Sequence, residues 1–252
     1  MRKIEFDCVL NEDLLEGVNL TGEVSQFSLP KDKVFFKNFN LRHKFFYESD
    51  AKLDYNFFRI FSIKDKMVIT KKFGVTDPQA RLENGVFYLD IPTSEIRDPE
   101  HKKELKIVLN PNHLIFSYYV NLEDVEHGSE EFEKIISLPN RITYNVVSKK
   151  TDVLEKFLNY DHNDMLLNGK KFWGEERAIN KFGVFSIGNT VMNVTEYSDF
   201  HDPIFENDEG EGRLSGKGMT GIEEEIPGYT KEEFLEDYLI ETHKLIKEIE
   251  DM

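Results

Sequence analysis

The sequence is poor in cysteine and lacks long apolar runs. Its one cysteine, Cys8, has no partner for an intramolecular disulfide, and zinc frameworks built on several cysteines are excluded. No segment approaches the roughly 18 consecutive apolar residues of a membrane span, and acids stand near the N-terminus where a secretory signal needs an apolar run. These absences predict a soluble, cytoplasmic protein that binds no membrane.

Aromatic residues, by contrast, are frequent. The 252 residues include 21 phenylalanines and 10 tyrosines, whereas disordered chains are poor in aromatics. A chain of this length can bury a sizeable core. We predict a single α+β domain in which residues 1–197 form a β-rich core, residues 198–228 an acidic, glycine-rich loop and residues 229–252 a C-terminal helix.

Short apolar and β-branched runs dominate the first 150 positions. Residues 3–10 alternate in polarity with the period of a half-buried strand. Most of the later runs are bounded by Gly, Pro, Asn or Asp, and Asn84-Gly85 is typical of a hairpin turn. We therefore predict a mainly antiparallel sheet. The later runs cover residues 34–39, 53–63, 66–70, 86–91, 105–109, 113–120 and 141–147.

Helices are predicted to be few. A short one is expected over residues 129–137, and the apolar spacing of residues 151–160 indicates another. The clearest signal precedes residues 231–250, where Thr230 and Glu233 have the spacing of a reciprocal capping box. The apolar stripe of that segment predicts a long helix packed on the sheet.

Negative charge is concentrated at the end of the sequence. The net charge is −16, and residues 195–252 hold 18 acids and 5 basic residues. Residues 31–81 instead carry 12 basic residues and 6 acids, interleaved with aromatics. Such a segment is typical of single-stranded nucleic acid binding, but the overall charge opposes direct contact with phosphates.

This asymmetry predicts a partner of opposite charge. Acidic surfaces attract basic proteins and can occupy a nucleic-acid site. We therefore predict a non-enzymatic interaction protein, of the inhibitor or immunity and anti-toxin kind, that needs no cofactor and binds a basic protein. The expected partner-binding residues are the acids Asp199, Asp202, Glu206, Asp208, Glu209, Glu211, Glu223, Glu224 and Glu225.

Two alternatives have different chemistry. Asp90, followed by Glu104 and Lys106, resembles the Asp, Glu-x-Lys core of restriction-type nucleases. That resemblance implies two adjacent strands with both carboxylates on one Mg²⁺ and the lysine beside the attacking water. The other alternative is a structural component of a larger assembly, whose final helix docks on another protein. The acidic segment could also fold back on residues 31–81 of its own chain.

Overall fold

Within the part of the chain that the structure describes, the fold consists of two β-sheets, four helices whose bounds are given below, and helical residues at 41, 42 and 44–46. It is a computed structural model. The residues it describes are 3–9, 41, 42, 44–46, 48–63, 67–72, 79–83, 86–92, 105–109, 111–158, 162–193 and 220–252.

The main sheet has seven strands in the order β1-β2-β7-β11-β10-β9-β8. Only β1 and β2 are parallel within it, and the other neighbours are antiparallel. The first strand confirms the prediction from alternating polarity. The strands are β1 (Ile4–Val9), β2 (Asn56–Phe61), β7 (His113–Asn121), β8 (Leu154–Leu158), β9 (His162–Leu167), β10 (Lys170–Ile179) and β11 (Gly183–Val191).

A smaller sheet has four strands in the order β4-β5-β3-β6. Its β3 and β5 are parallel, and Glu83 of β4 lies opposite Val86 of β5, the pairing expected for the predicted hairpin. Met67 and Leu109 pack in one apolar cluster with residues of the main sheet. The strands are β3 (Met67–Lys72), β4 (Gln79–Glu83), β5 (Val86–Pro92) and β6 (Leu105–Leu109).

The C-terminal helix confirms the strongest sequence signal. Thr230 accepts a hydrogen bond from the Glu233 amide, and the Glu233 side chain accepts one from the Thr230 amide, which completes the capping box. The helix buries its apolar stripe and packs on the second helix. The α+β class is thereby confirmed. The helices are α1 (Glu130–Ile136), α2 (Leu138–Val147), α3 (Ile222–Glu225) and α4 (Lys231–Glu250).

Two element predictions are wrong. Residues 141–147 lie in helix α2, not in a strand, because a proline in the first turn and burial against α4 outweigh their β-branched composition. Residues 154–158 form edge strand β8, not a helix, since Leu154 pairs with Leu167 and Lys156 with Met165 of β9. Tertiary pairing has overridden the local spacing in both cases.

One face of the main sheet is covered by the helices, and we call it the helix face. Phe58, Phe116 and Trp173 belong to its core together with residues of α1, α2 and α4. The rings of Phe116 and Trp173 stack at 5.9 Å between centroids. Gly188 leaves room for this stack, because a Cβ there would lie 2.6 Å from the Phe116 ring. Burying one such ring contributes about 2 to 3 kcal/mol.

The acids of the C-terminal segment pair with basic residues from the middle of the chain. Glu241 contacts Lys149 at 3.1 Å, and Glu248 contacts Arg141 at 2.7 Å. Lys170 reaches Glu225 at 2.8 Å. Part of the C-terminal negative charge is thus paired within the molecule, by Arg141, Lys149 and Lys170. No helix in the described residues is long and apolar enough to cross a membrane.

Candidate functional site

A β-bulge in β10 determines where Lys171 points. Lys171 pairs with Leu166 of β9, and Trp173, two positions later, pairs with the next β9 residue, Met165. Phe172 is therefore an extra residue in β10. In a regular strand Lys171 would share the helix face with Trp173, but one inserted residue moves it to the opposite side. We call that side the lysine face.

On the lysine face, Lys171 lies over Gly174 and contacts Asp164. Its Nζ is 2.5 Å from the Asp164 carboxylate, and a Cβ on Gly174 would stand 2.9 Å from the same nitrogen. Asn189 pairs with Gly174 from β11, which places it on the same side. The lysine side chain is 29% exposed, so the amine remains within reach of solvent. We refer to Asp164, Lys171, Gly174 and Asn189 as the lysine site.

Two further ion pairs lie on the lysine face. Arg42 donates two hydrogen bonds to Glu176, two positions beyond Gly174 in β10, and its guanidinium lies 4.7 Å from the centroid of the Phe46 ring. Arg59 contacts Asp7 of β1 at 3.4 Å. Both arginines are buried. Buried ion pairs hold their partners in fixed positions at a considerable desolvation cost.

The segment around α3 supports the lysine site from behind. The Thr220 amide donates to the Lys171 carbonyl at 2.9 Å, so the main chain of Lys171 is held from outside the sheet. Glu225 accepts hydrogen bonds from Asn168, Lys170 and Thr220. The first two of these donors hold the pKa of Glu225 at about 2, well below its usual value.

The Lys171 ammonium is partly exposed and has the Asp164 carboxylate as its partner. The ammonium is a compact point charge that binds carboxylate and phosphate oxygens. Gly174 leaves the space above the strand free for the lysine stem. Three or more His, Cys, Asp or Glu side chains do not come together as a metal site anywhere in the described residues.

Most of the predicted partner-binding acids lie outside the described residues. This applies to Asp199, Asp202, Glu206, Asp208, Glu209 and Glu211. The other three lie on α3. Glu223 accepts hydrogen bonds from Asn193 and the Lys231 amide, and Glu225 from the donors named above. Glu224 is exposed.

The nuclease-like residues do not lie on adjacent strands. Strand β3 lies between β5 and β6, so Thr70 pairs with Asp90 on one side and with Lys106 on the other. Two strand spacings, about 9.5 Å, therefore separate the backbones of Asp90 and Lys106. Glu104 lies outside the described residues. The expectation that these residues lie on adjacent strands is wrong, since β3 separates β5 from β6.

The sequence interpretation did not bring Asp164 together with Lys171 and Gly174. A usable signal was Asn168-Gly169, a hairpin turn in which both residues have positive φ. A hairpin there brings the residues before and after it together. Only the extra residue at Phe172, which is not visible as a local pattern, determines the face on which they meet.

Comparison with known proteins gives matches to solved structures. No protein-family model and no curated protein matches the sequence. A lipoate protein ligase from Thermoplasma acidophilum, described with its E2 lipoyl domain, is 12% identical with a TM-score of 0.48, over 99% of this chain and 93% of that chain. A lipoate-protein ligase A bound with ATP is 13% identical with a TM-score of 0.44, over 85% and 90%.

A third similar structure is a biotin ligase. The biotin protein ligase from Aquifex aeolicus in complex with biotin and ATP is 13% identical with a TM-score of 0.36, over 100% of this chain and 73% of that chain.

These findings correct the functional prediction. The interpretation as a non-enzymatic inhibitor with a basic protein partner is wrong, because the similar solved structures are ligases, one of them described with a lipoyl domain. Inside the chain, Glu223 and Glu225 are engaged by the chain's own donors. The assembly alternative also fails, since α4 buries its stripe in its own core.

Proposed function

We propose that this chain is a ligase that binds a small carboxylic acid at Lys171 and joins it to an amine of a protein. The observation that carries the proposal is the Lys171 amine, held over Gly174 by Asp164 and partly open to solvent. An acid that enters the site can replace the Asp164 carboxylate as the partner of the ammonium.

The chemistry requires activation of the acid. A carboxylate does not condense with an amine in water unless its oxygen is first converted to a better leaving group. With ATP as the co-substrate to test, the carboxylate oxygen attacks the α-phosphorus and displaces pyrophosphate; the acceptor amine then attacks the acyl carbon, loses a proton and displaces AMP. A single lysine charge can stabilise both the carboxylate and the phosphate oxygens that develop charge beside it. Lipoic acid is the first acid to test, since the similar solved structures include lipoate ligases.

The test compares Lys171, in β10, with Lys181, in the turn that follows the same strand. Lys171→Met should lower the affinity for lipoic acid, measured by calorimetry with and without ATP, at least about tenfold, because a charge-assisted hydrogen bond contributes roughly 1.5 to 3 kcal/mol. Lys181, exposed at the turn between β10 and β11, provides the control Lys181→Met. This control should bind like the unmodified protein.

A lipoyl domain then serves as the acceptor in a transfer assay. With ATP present, mass spectrometry should detect one lipoyl group added to that domain, and Lys171→Met should abolish the addition. Equal binding by both lysine variants would refute the role of Lys171. Absence of binding and transfer with lipoic acid, octanoic acid and biotin alike would refute the function itself.

A further inference from the structure

Glu225 forms a link between three points near the lysine site. Its carboxylate accepts from Asn168 Nδ2 at 2.7 Å, from Lys170 Nζ at 2.8 Å and from Thr220 Oγ1 at 2.8 Å. Asn168 stands in the β9–β10 turn, and Lys170 directly precedes Lys171. The side chain of Glu225 is 9% exposed and Thr220 is buried, whereas Asn168 and Lys170 reach the carboxylate from the exposed side.

The link continues into the main chain of Lys171. The Thr220 amide donates a hydrogen bond to the Lys171 carbonyl. Lys171 lies near the N-terminal end of β10, before Trp173, where pairing with β11 begins. Thr220 therefore supports the residue on the N-terminal side of the bulge. Because the bulge turns Lys171 toward Asp164, the support that fixes the bulge also fixes the direction of the amine.

We propose that Glu225 is a positioning residue for Lys171. It holds Thr220 and the β9–β10 turn in one arrangement, so that the bulge stays formed and the amine stays above Gly174. The importance of this role for catalysis rests on the proposed function. The position of the Lys171 amine, however, can be probed without any substrate.

A matched control exists in the same part of the chain. Glu241 also accepts hydrogen bonds from an asparagine, a lysine and a third donor, namely Asn145, Lys149 and Lys244. Its side chain is 4% exposed, and its asparagine and first lysine partners lie in and just after α2. Glu225→Gln and Glu241→Gln therefore remove the same kind of interaction, but only the first lies at the lysine site.

Two measurements on the full chain need no substrate. In Glu225→Gln, hydrogen exchange of the Thr220 amide and acetylation of Lys171 by acetic anhydride should both rise about tenfold, as expected when bonds to a charged group are lost. Glu241→Gln should leave both unchanged. Thr220→Val, which removes one of the three bonds, should shift them in the same direction by a smaller factor.

The kinetic measurement separates positioning from stability. Loss of folded protein lowers the apparent kcat and leaves KM unchanged, whereas a displaced Lys171 raises the KM for lipoic acid. We expect about a tenfold rise in Glu225→Gln and none in Glu241→Gln. If both variants change Lys171 acetylation equally, or neither does, the positioning role is refuted. If the unmodified protein transfers no acid, the function fails and the acetylation and exchange data still decide the role of Glu225.

Discussion

The two faces of strand β10 carry consecutive glutamates that are neutralised in different ways. Glu175, on the helix face, pairs with Arg177 of its own strand and accepts a hydrogen bond from Asn163 of the next strand. Glu176, on the lysine face, pairs with Arg42, which lies 134 positions away in the sequence. One charge is satisfied within the sheet, and the other depends on a separate segment.

This difference shows that the two faces of the main sheet hold their charged groups by contacts of different range along the chain. On the helix face, the charged groups pair with neighbours in the same sheet, and aromatic rings such as Phe116 and Trp173 fill the remaining space. This face can therefore pack closely under the helices. The lysine face also carries an apolar cluster, which includes Phe57, Tyr119 and Phe185, but its Glu176 takes its partner Arg42 from an earlier segment of the chain. Its geometry therefore depends on contacts that substitution can remove one at a time.

The largest expected effect comes from the two glutamates themselves. Glu175→Ala leaves Arg177 without its buried partner and should cost about 3 to 5 kcal/mol of unfolding free energy. Glu176→Ala should cost less, about 1 to 2 kcal/mol, because the Glu176 side chain is 18% exposed whereas that of Glu175 is fully buried. Urea unfolding of both variants measures the two costs. Equal costs would show that the faces do not differ in this respect.

A smaller effect is expected at two glycines that are close neighbours. A Cβ on Gly188 would stand 2.3 Å from the Gly174 carbonyl oxygen and 2.6 Å from the Phe116 ring, so Gly188→Ala should cost about 1 to 3 kcal/mol. On Gly174 the Cβ would meet the flexible end of Lys171 instead.

Gly174→Ala should therefore change the unfolding free energy by less than about 1 kcal/mol. It should nevertheless weaken the binding of lipoic acid, because the lysine amine is displaced from its place beside Asp164. Thermal unfolding and calorimetric titration of the two variants test this contrast. A large stability loss in Gly174→Ala with unchanged binding would reverse the assignment.

The smallest expected effect is a pH dependence. Hydrogen bonds from Asn168 and Lys170 hold the pKa of folded Glu225 at about 2, below the ordinary value of 4.5. A lowered folded pKa stabilises the fold fully above the unfolded value, and this contribution is lost as the pH falls toward 2. The unmodified protein should exceed Glu225→Gln in unfolding free energy by about 1 kcal/mol at pH 6, and the gap should close near pH 2. A gap independent of pH would contradict this origin.

The sequence predicts elements that depend on neighbouring residues better than contacts between residues that are far apart in the chain. Ser129 and Thr230 begin their helices through side-chain caps that can be identified from neighbouring residues, and both predictions are confirmed. The strand at residues 154–158 was misread because its identity depends on β9. The lysine site was missed for the same reason, since Asp164 and Lys171 meet only through a turn and a bulge.

The contact between the two ends of the described chain has a consequence for synthesis. The Ile4 amide donates to the Glu250 carboxylate, and α4 supplies much of the cover over Phe58, Phe116 and Trp173. A ribosome therefore releases the described strands of the main sheet, with α1 and α2, before it releases α4. During that interval the part of the helix face that α4 covers is exposed, and holding the growing chain apart from other chains is a task for chaperones.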